Sequence, residues 1–166
     1  MPRVAVLDIG SNSIKILVAE RDAGEPPVAL WQQAIDARIS MGISAALPQL
    51  TEDGMARGLE AIKELLAAAA PHAPERAVLV ATSAVRDAGN GAEFSRRVSQ
   101  ATGFDLRILS GEEEANAIGR GLTCDPALAD LQDFYLFDLG GGAWSASRSM
   151  VAALPRPSVS RWVVCG

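Results

Sequence analysis

Twice in this chain a short β-branched or aromatic run ends in an aspartate and is followed, two residues on, by glycine. Residues 4–7 lead into Asp8-Ile9-Gly10-Ser11-Asn12-Ser13, and residues 134–137 lead into Asp138-Leu139-Gly140-Gly141-Gly142. A strand that ends in a tight polar turn has to reverse at once, so these two places limit how the chain can be laid out. After the first turn, residues 14–19 form a second β-branched run, which predicts a hairpin with the polar loop at its tip. Gly24, Pro26 and Pro27 mark the next turn, and the alternation over residues 28–39 predicts a third strand that completes a meander.

Helical spacing begins further on. Thr51 is placed to cap a helix with apolar positions Met55, Leu59, Ile62, Leu65 and Leu66, stopped by Pro71 and Pro74. Residues 77–82 are a nearly continuous apolar run, which predicts a central strand buried on both faces. A second helix is expected over residues 93–102, ended by Gly103, then a strand over 106–109. Ser110 is placed to cap a third helix from Glu112 to about Leu122, with Glu112, Glu113 and Glu114 in the first turn where the helix dipole favours them. The order β-β-β-α-β-α-β-α-β mixes a meander with crossover helices and predicts an α/β fold with a mixed sheet.

The chain has 166 residues, nearly half of them apolar, which suits one well-buried domain. A formal charge of −5 argues against a general nucleic-acid binder, because no basic face is evident. No apolar stretch reaches membrane-spanning length, and no cleavable leader follows Met1, so a cytoplasmic protein with no membrane association is expected. Cys124 and Cys165 have neither metal-ligand spacing nor the density of a disulfide scaffold.

The first turn can offer backbone N–H groups and hydroxyls to phosphate oxygens while Asp8 holds a hydrated cation. An ordinary hairpin turn has the same composition. In the second turn, three glycines permit a close backbone approach to an anion that a turn alone does not require. Lys15 reads as an outward strand residue and His72 as a solvated linker residue. At least two of the three glutamates read as dipole compensation on a solvated first turn, and the alternative for Arg86 is a surface ion pair with Asp87 or a neighbour.

The paired loops resemble the two phosphate loops of the superfamily of actin, the sugar kinases and the heat-shock chaperone ATPases. Three segments narrow the resemblance: the opening D-I-G-S-N-S-I-K-I-L-V-A, the segment Ala81-Thr82-Ser83-Ala84-Val85-Arg86-Asp87-Ala88, and Ile108-Leu109-Ser110-Gly111-Glu112-Glu113-Glu114-Ala115. In order and spacing they are similar to the Ppx/GppA family of exopolyphosphatases and guanosine-pentaphosphate phosphohydrolases over residues 3–142.

That resemblance implies a mixed-sheet, ribonuclease-H-like domain of the actin-like ATPase superfamily, the first of a pair that closes around a ligand. It implies a Mg2+-dependent hydrolase acting on inorganic polyphosphate or guanosine pentaphosphate, and a homodimer. Glu114 is the implied water-activating residue, with Glu113 as the fallback. Gly10, Ser11, Asn12, Ser13, Arg86, Gly140, Gly141 and Gly142 are the implied phosphate ligands, and Asp8 and Asp138 the implied metal ligands, at the ends of adjacent strands.

The family pattern continues G-G-G-S-x-E, whereas this chain reads Ala143-Trp144-Ser145, with Ser145 at the acidic position. Residues 143–166 have no acidic residue and two of the three tryptophans, and strand alternation returns only over 162–164. Back-translation of residues 142–166 with each codon started one nucleotide earlier restores the family's S-L-E. Residues 1–142 are therefore expected to be the phosphate-binding domain and residues 143–166 an out-of-frame tail. The chain alone is expected to be inactive. A kinase or ATPase relative, and a non-catalytic phosphate-binding fragment, are the alternative readings.

Overall fold

The computed structural model describes residues 1–44, 46, 48–123, 134–138 and 161–165. The chain divides into two compact units, Met1–Leu109 and Ser110–Gly166.

The first unit is built on a five-stranded mixed sheet. Strands β1 (Arg3–Ile9), β2 (Ile14–Glu20) and β3 (Val28–Ile35) form the expected antiparallel meander. Helix α1 (Glu52–Ala69), followed by a 3-10 turn at Ala70–His72, carries the chain to β4 (Arg76–Ala81), which pairs parallel with β1. A short helix α2 (Ser83–Arg86) and helix α3 (Gly91–Thr102) lead to β5 (Leu106–Ile108), parallel to β4. The strand order is β3-β2-β1-β4-β5, the α/β mixed-sheet class expected from the sequence.

Alternation decides which face is buried. Ala5, Leu7 and Ile9 of β1, with Ile14, Ile16 and Val18 of β2, are all buried and pack with Met55, Ile62 and Leu65 of α1 and Phe94 and Val98 of α3. Each fully buried aliphatic side chain contributes about 1.5–3 kcal/mol, so this face dominates the stability of the unit. The intervening residues Val6, Asp8, Lys15 and Leu17 are exposed. Strand β4 follows the same rule: Leu79 and Ala81 are buried, but Val78 and Val80 are only half-buried. The expectation of burial on both faces is thus corrected, because α1 and α3 pack into the core on the Leu7 and Leu79 side.

Capping matches the sequence closely. The Thr51 hydroxyl accepts from the Gly54 N–H at 3.0 Å, and Gly103 ends α3 in the left-handed conformation. Asn90, just before α3, grips Leu50, just before α1, by donating to its carbonyl and accepting from its N–H. Arg97 of α3 also reaches Glu52 of α1, and that hydrogen bond, followed by the attraction of its charge, holds the Glu52 carboxyl below its usual pKa. The third strand stops at Ile35 rather than running to Ile39. The Ala37 N–H turns back to the Ile35 carbonyl and Arg38 has a φ of 45°, so Ala37 and Ile39 are buried from a turn rather than from a strand.

The amino-terminal end of β1 is firmly stitched. Arg3 pairs with Glu20 and donates to the His72 carbonyl, while its own carbonyl accepts from Glu75. The His72 ring stacks on Trp31 with centroids 4.8 Å apart.

In the second unit, α4 (Gly111–Thr123) and a parallel pair, β6 (Phe134–Asp138) and β7 (Arg161–Cys165), are described. The alternation read over residues 162–164 is therefore a strand. No helix among the described residues is long and apolar enough to cross a membrane.

Candidate functional site

Strands β1, β4 and β5 run in the same direction, so the segments that follow them emerge at one end of the sheet. In open α/β sheets this is where ligands bind. Ile9 and Ala81 are register partners, and the Thr82 N–H donates to the Ile9 carbonyl at 3.4 Å. Loop 10–13, following β1, and the α2 turn, following β4, are consequently neighbours. The fold brings Asp8, the loop and Arg86 to one edge although more than seventy residues separate Asp8 from Arg86 in the chain.

The loop is shaped by bonds that pull its carbonyls back. Gly10 donates to the Ser13 carbonyl at 3.2 Å and closes the turn. The Ser11 carbonyl accepts from both the N–H and the hydroxyl of Ser40, each at 3.2 Å. The Asn12 carbonyl accepts from the Arg38 N–H at 2.7 Å. With three carbonyls committed, the N–H groups of Ser11 and Ser13 make no hydrogen bond to any described residue. A turn that spends its acceptors and keeps its donors is suited to an anion.

The residues that pull on the loop are themselves held from α1. Arg57 donates from Nε to the Ala37 carbonyl and from a terminal nitrogen to the Arg38 carbonyl, both at 3.0 Å. Gly54 and Gly58 let α1 come close enough for this: a Cβ at Gly54 would lie 2.6 Å from the Ile39 carbonyl oxygen, and one at Gly58 would lie 2.8 Å from the Ile39 side chain.

Asp8 is exposed on β1, directly across from Lys15 on β2 and in register with Val80 on β4. Val80 is in register with Arg107 on β5, so one row of the sheet reads Lys15, Asp8, Val80, Arg107. Opposite charges placed cross-strand attract, and Asp8 has cations on this face within its own sheet. Among the described residues no three His, Cys, Asp or Glu side chains come together as a metal cage. Arg86 closes α2: Nη1 donates to the Leu109 carbonyl at 3.1 Å and Nε to Asp87 at 3.3 Å, so the ion pair allowed by the sequence is present.

The other sequence-derived candidates lie in the second unit. Ser110 and Glu113 form a reciprocal cap on α4: the Glu113 N–H donates to the Ser110 hydroxyl at 3.1 Å and the Ser110 N–H to the Glu113 carboxylate at 2.9 Å. Glu112 and Glu113 are exposed, whereas Glu114 is half-buried. Asp138 is the last residue of β6, in register with Cys165. Adjacent strands for Asp8 and Asp138 are not found: both edges of β1 are taken by β2 and β4, and β6 pairs with β7. Gly140, Gly141, Gly142 and Ser145 lie outside the described residues.

Arg38, Ser40 and Arg57 were not expected at this end of the sheet. Ala37, Arg38, Ile39 and Ser40 carry the alternation past the strand's end at Ile35, and Gly42 is the nearest turn residue the sequence offers as a signal.

Comparison with known proteins gives a consistent result. The Ppx/GppA phosphatase family matches over residues 17–151. Exopolyphosphatase 2 of Mycobacterium tuberculosis is 31% identical over 151 residues, covering 86% of this chain and 47% of that protein. Exopolyphosphatase 1 of the same organism is 31% identical over 113 residues, covering 68% of this chain and 33% of its own. The chain thus spans less than half the length of these relatives. Among solved structures, an Aquifex aeolicus Ppx/GppA family member is similar at a TM-score of 0.73 and 26% identity, over 85% of this chain and 45% of that one. An exopolyphosphatase from Cytophaga hutchinsonii shares the fold at a TM-score of 0.75 and 24% identity, over 84% of this chain and 44% of that one. The three motifs, the five-stranded mixed sheet and the match over most of its length agree, and this chain belongs to the Ppx/GppA phosphatase family.

Proposed function

We propose that this chain supplies the phosphate-holding part of a phosphoanhydride hydrolase that removes terminal phosphate from inorganic polyphosphate or guanosine pentaphosphate. The observation that carries the proposal is the 10–13 loop, with its carbonyls drawn back onto Ser40 and Arg38 and the Ser11 and Ser13 N–H groups left to donate. Transfer of a terminal phosphoryl group to water needs positioning and charge neutralisation more than covalent chemistry. The loop amides, the Arg86 guanidinium and a carboxylate that accepts a proton from the attacking water supply these in kind.

Glu114 is that carboxylate in this reading. Glu113 is engaged in capping α4 and is exposed, while Glu114 is half-buried, an environment that suits a general base better. Mg2+ suits Asp8, because Mg2+ keeps several waters and takes one or two carboxylates together with substrate phosphates rather than a full protein cage. Bound there, it would neutralise charge on the phosphate oxygens.

Release of phosphate from polyphosphate and from guanosine pentaphosphate, measured on this chain and on a version read in the restored frame after residue 142, tests the proposal. In whichever version turns over, Glu114→Gln is expected to lower turnover on the order of a hundredfold, and Glu113→Gln far less. A larger loss for Glu113→Gln would move the base to that residue. Absence of hydrolysis in both versions would leave the non-catalytic phosphate-binding reading, which Ser145 at the family's acidic position favours for the chain as it stands.

A further inference from the structure

Among the described residues, only Arg38 and Ala73 are non-glycine residues with positive φ. Ala73 caps the 3-10 turn, where the left-handed conformation is common. Arg38 ends no helix. For an L-residue other than glycine, this conformation costs roughly 1–2 kcal/mol, and glycine would remove that cost. Backbone strain of this kind persists only where the surroundings over-determine it, and it concentrates at ligand-binding positions.

The surroundings of Arg38 do over-determine it. Its N–H donates to the Asn12 carbonyl at 2.7 Å, and its carbonyl accepts from Arg57 at 3.0 Å and from the Met41 N–H at 3.1 Å. Both backbone polar groups are therefore fixed, one of them on the 10–13 loop itself. The side chain is not used in this scaffolding. It is exposed, and its guanidinium forms no hydrogen bond or ion pair with any described residue. The backbone bonds that brace the loop would be made equally well, and with less strain, by a glycine. What a glycine could not supply is the charge.

We propose that Arg38 is a phosphate-binding residue, whose guanidinium adds its charge to a phosphoanhydride chain held at the 10–13 loop. The inference deepens the phosphate-binding reading above and rests on it. One loop with two donating N–H groups accommodates a single phosphate. A cation on the adjoining turn extends the site to a further phosphate of the same chain, so the site should favour tripolyphosphate over orthophosphate. An arginine suits this better than a lysine, because its planar fork engages two oxygens of one phosphate. The protein carries a net charge of −5, so attraction by overall charge cannot account for such a preference.

Titration calorimetry of the whole chain with inorganic tripolyphosphate and with orthophosphate, together with thermal unfolding, tests this for Arg38→Gly and Arg38→Lys. Loss of one charge-assisted contact is expected to weaken tripolyphosphate binding about tenfold in Arg38→Gly. The melting temperature should stay the same or rise as the strain is relieved, and Arg38→Lys should recover part of the affinity. Unchanged tripolyphosphate affinity in Arg38→Gly would overturn the assignment and leave the loop reading intact. A fall in melting temperature in both variants, in step with affinity, would make Arg38 a structural residue and also overturn it. If the unaltered chain binds no tripolyphosphate, the phosphate-loop reading fails and this inference with it.

Discussion

At the start of α4, Ser110 and Glu113 exchange two hydrogen bonds, and both partners lie within four residues of chain. Around loop 10–13 the partners are remote. Ser40 reaches the Ser11 carbonyl from 29 residues along the chain, and Arg57 holds Ala37 from 20 residues further on. Both are serine-containing bends beside acidic residues. One is specified by its own letters, and the other takes its shape from how closely α1 packs beneath the turn over residues 37–41. The difference teaches that the geometry of the loop is a property of the packed unit, so that, on the phosphate-binding reading proposed above, changes to helix packing should register as changes in ligand binding.

Gly54→Ala puts the contrast under the greatest strain. The new Cβ would meet the Ile39 carbonyl oxygen at 2.6 Å, a backbone atom that cannot rotate away. Overpacking of this kind should cost on the order of 2 kcal/mol, read as a lowered melting temperature, and should weaken tripolyphosphate binding as the 38–40 turn is displaced. Lost stability with unaltered affinity would show that the loop keeps its shape without the turn, and the contrast would dissolve.

Arg57→Met is milder. The substitution keeps most of the aliphatic stem and removes two donors from the carbonyls of Ala37 and Arg38, which water can partly replace at this half-exposed position. A stability loss of about 1 kcal/mol and a several-fold weaker affinity for tripolyphosphate are expected from chemical denaturation and calorimetry. Affinity that falls far more than stability would sharpen the comparison, because it would assign the turn chiefly to ligand binding.

The smallest effect belongs to Ser110→Ala. Losing the cap should cost α4 about 1 kcal/mol, seen as faster hydrogen exchange at the amides of the first helical turn. Tripolyphosphate affinity should not change. Altered affinity would mean that the start of α4 is not the self-contained element described above.

The same division explains what could be read from the sequence. Thr51, Gly103 and Ser110 were legible as helix ends because each acts on backbone within a few residues of itself. The inward rows Leu7, Ile9 and Ile14, Ile16 were legible because a strand's faces alternate whatever lies above them. Ile39 misled for a physical reason: alternation reports burial, and Ala37 and Ile39 are buried from a turn that has left the sheet. Val80 misled in a related way, since an apolar run does not reveal which face the helices cover. The candidate site divides along the same line. Asp8 and residues 10–13 stood out by composition, and Arg86 by family resemblance. Arg38 and Arg57 had no local pattern, because what singles them out is a backbone angle and two long-range hydrogen bonds.

The stitching of Arg3 to Glu20, His72 and Glu75 gives the first unit a practical polarity. Strand β1 starts in that stitched end and finishes at the loop, and at a rise of about 3.3 Å per residue its two ends are roughly 20 Å apart. Met1 is 71% exposed at the far end. A fluorophore, affinity handle or surface tether joined there would hold the unit by this bonded strand end, a full strand's length from the 10–13 loop.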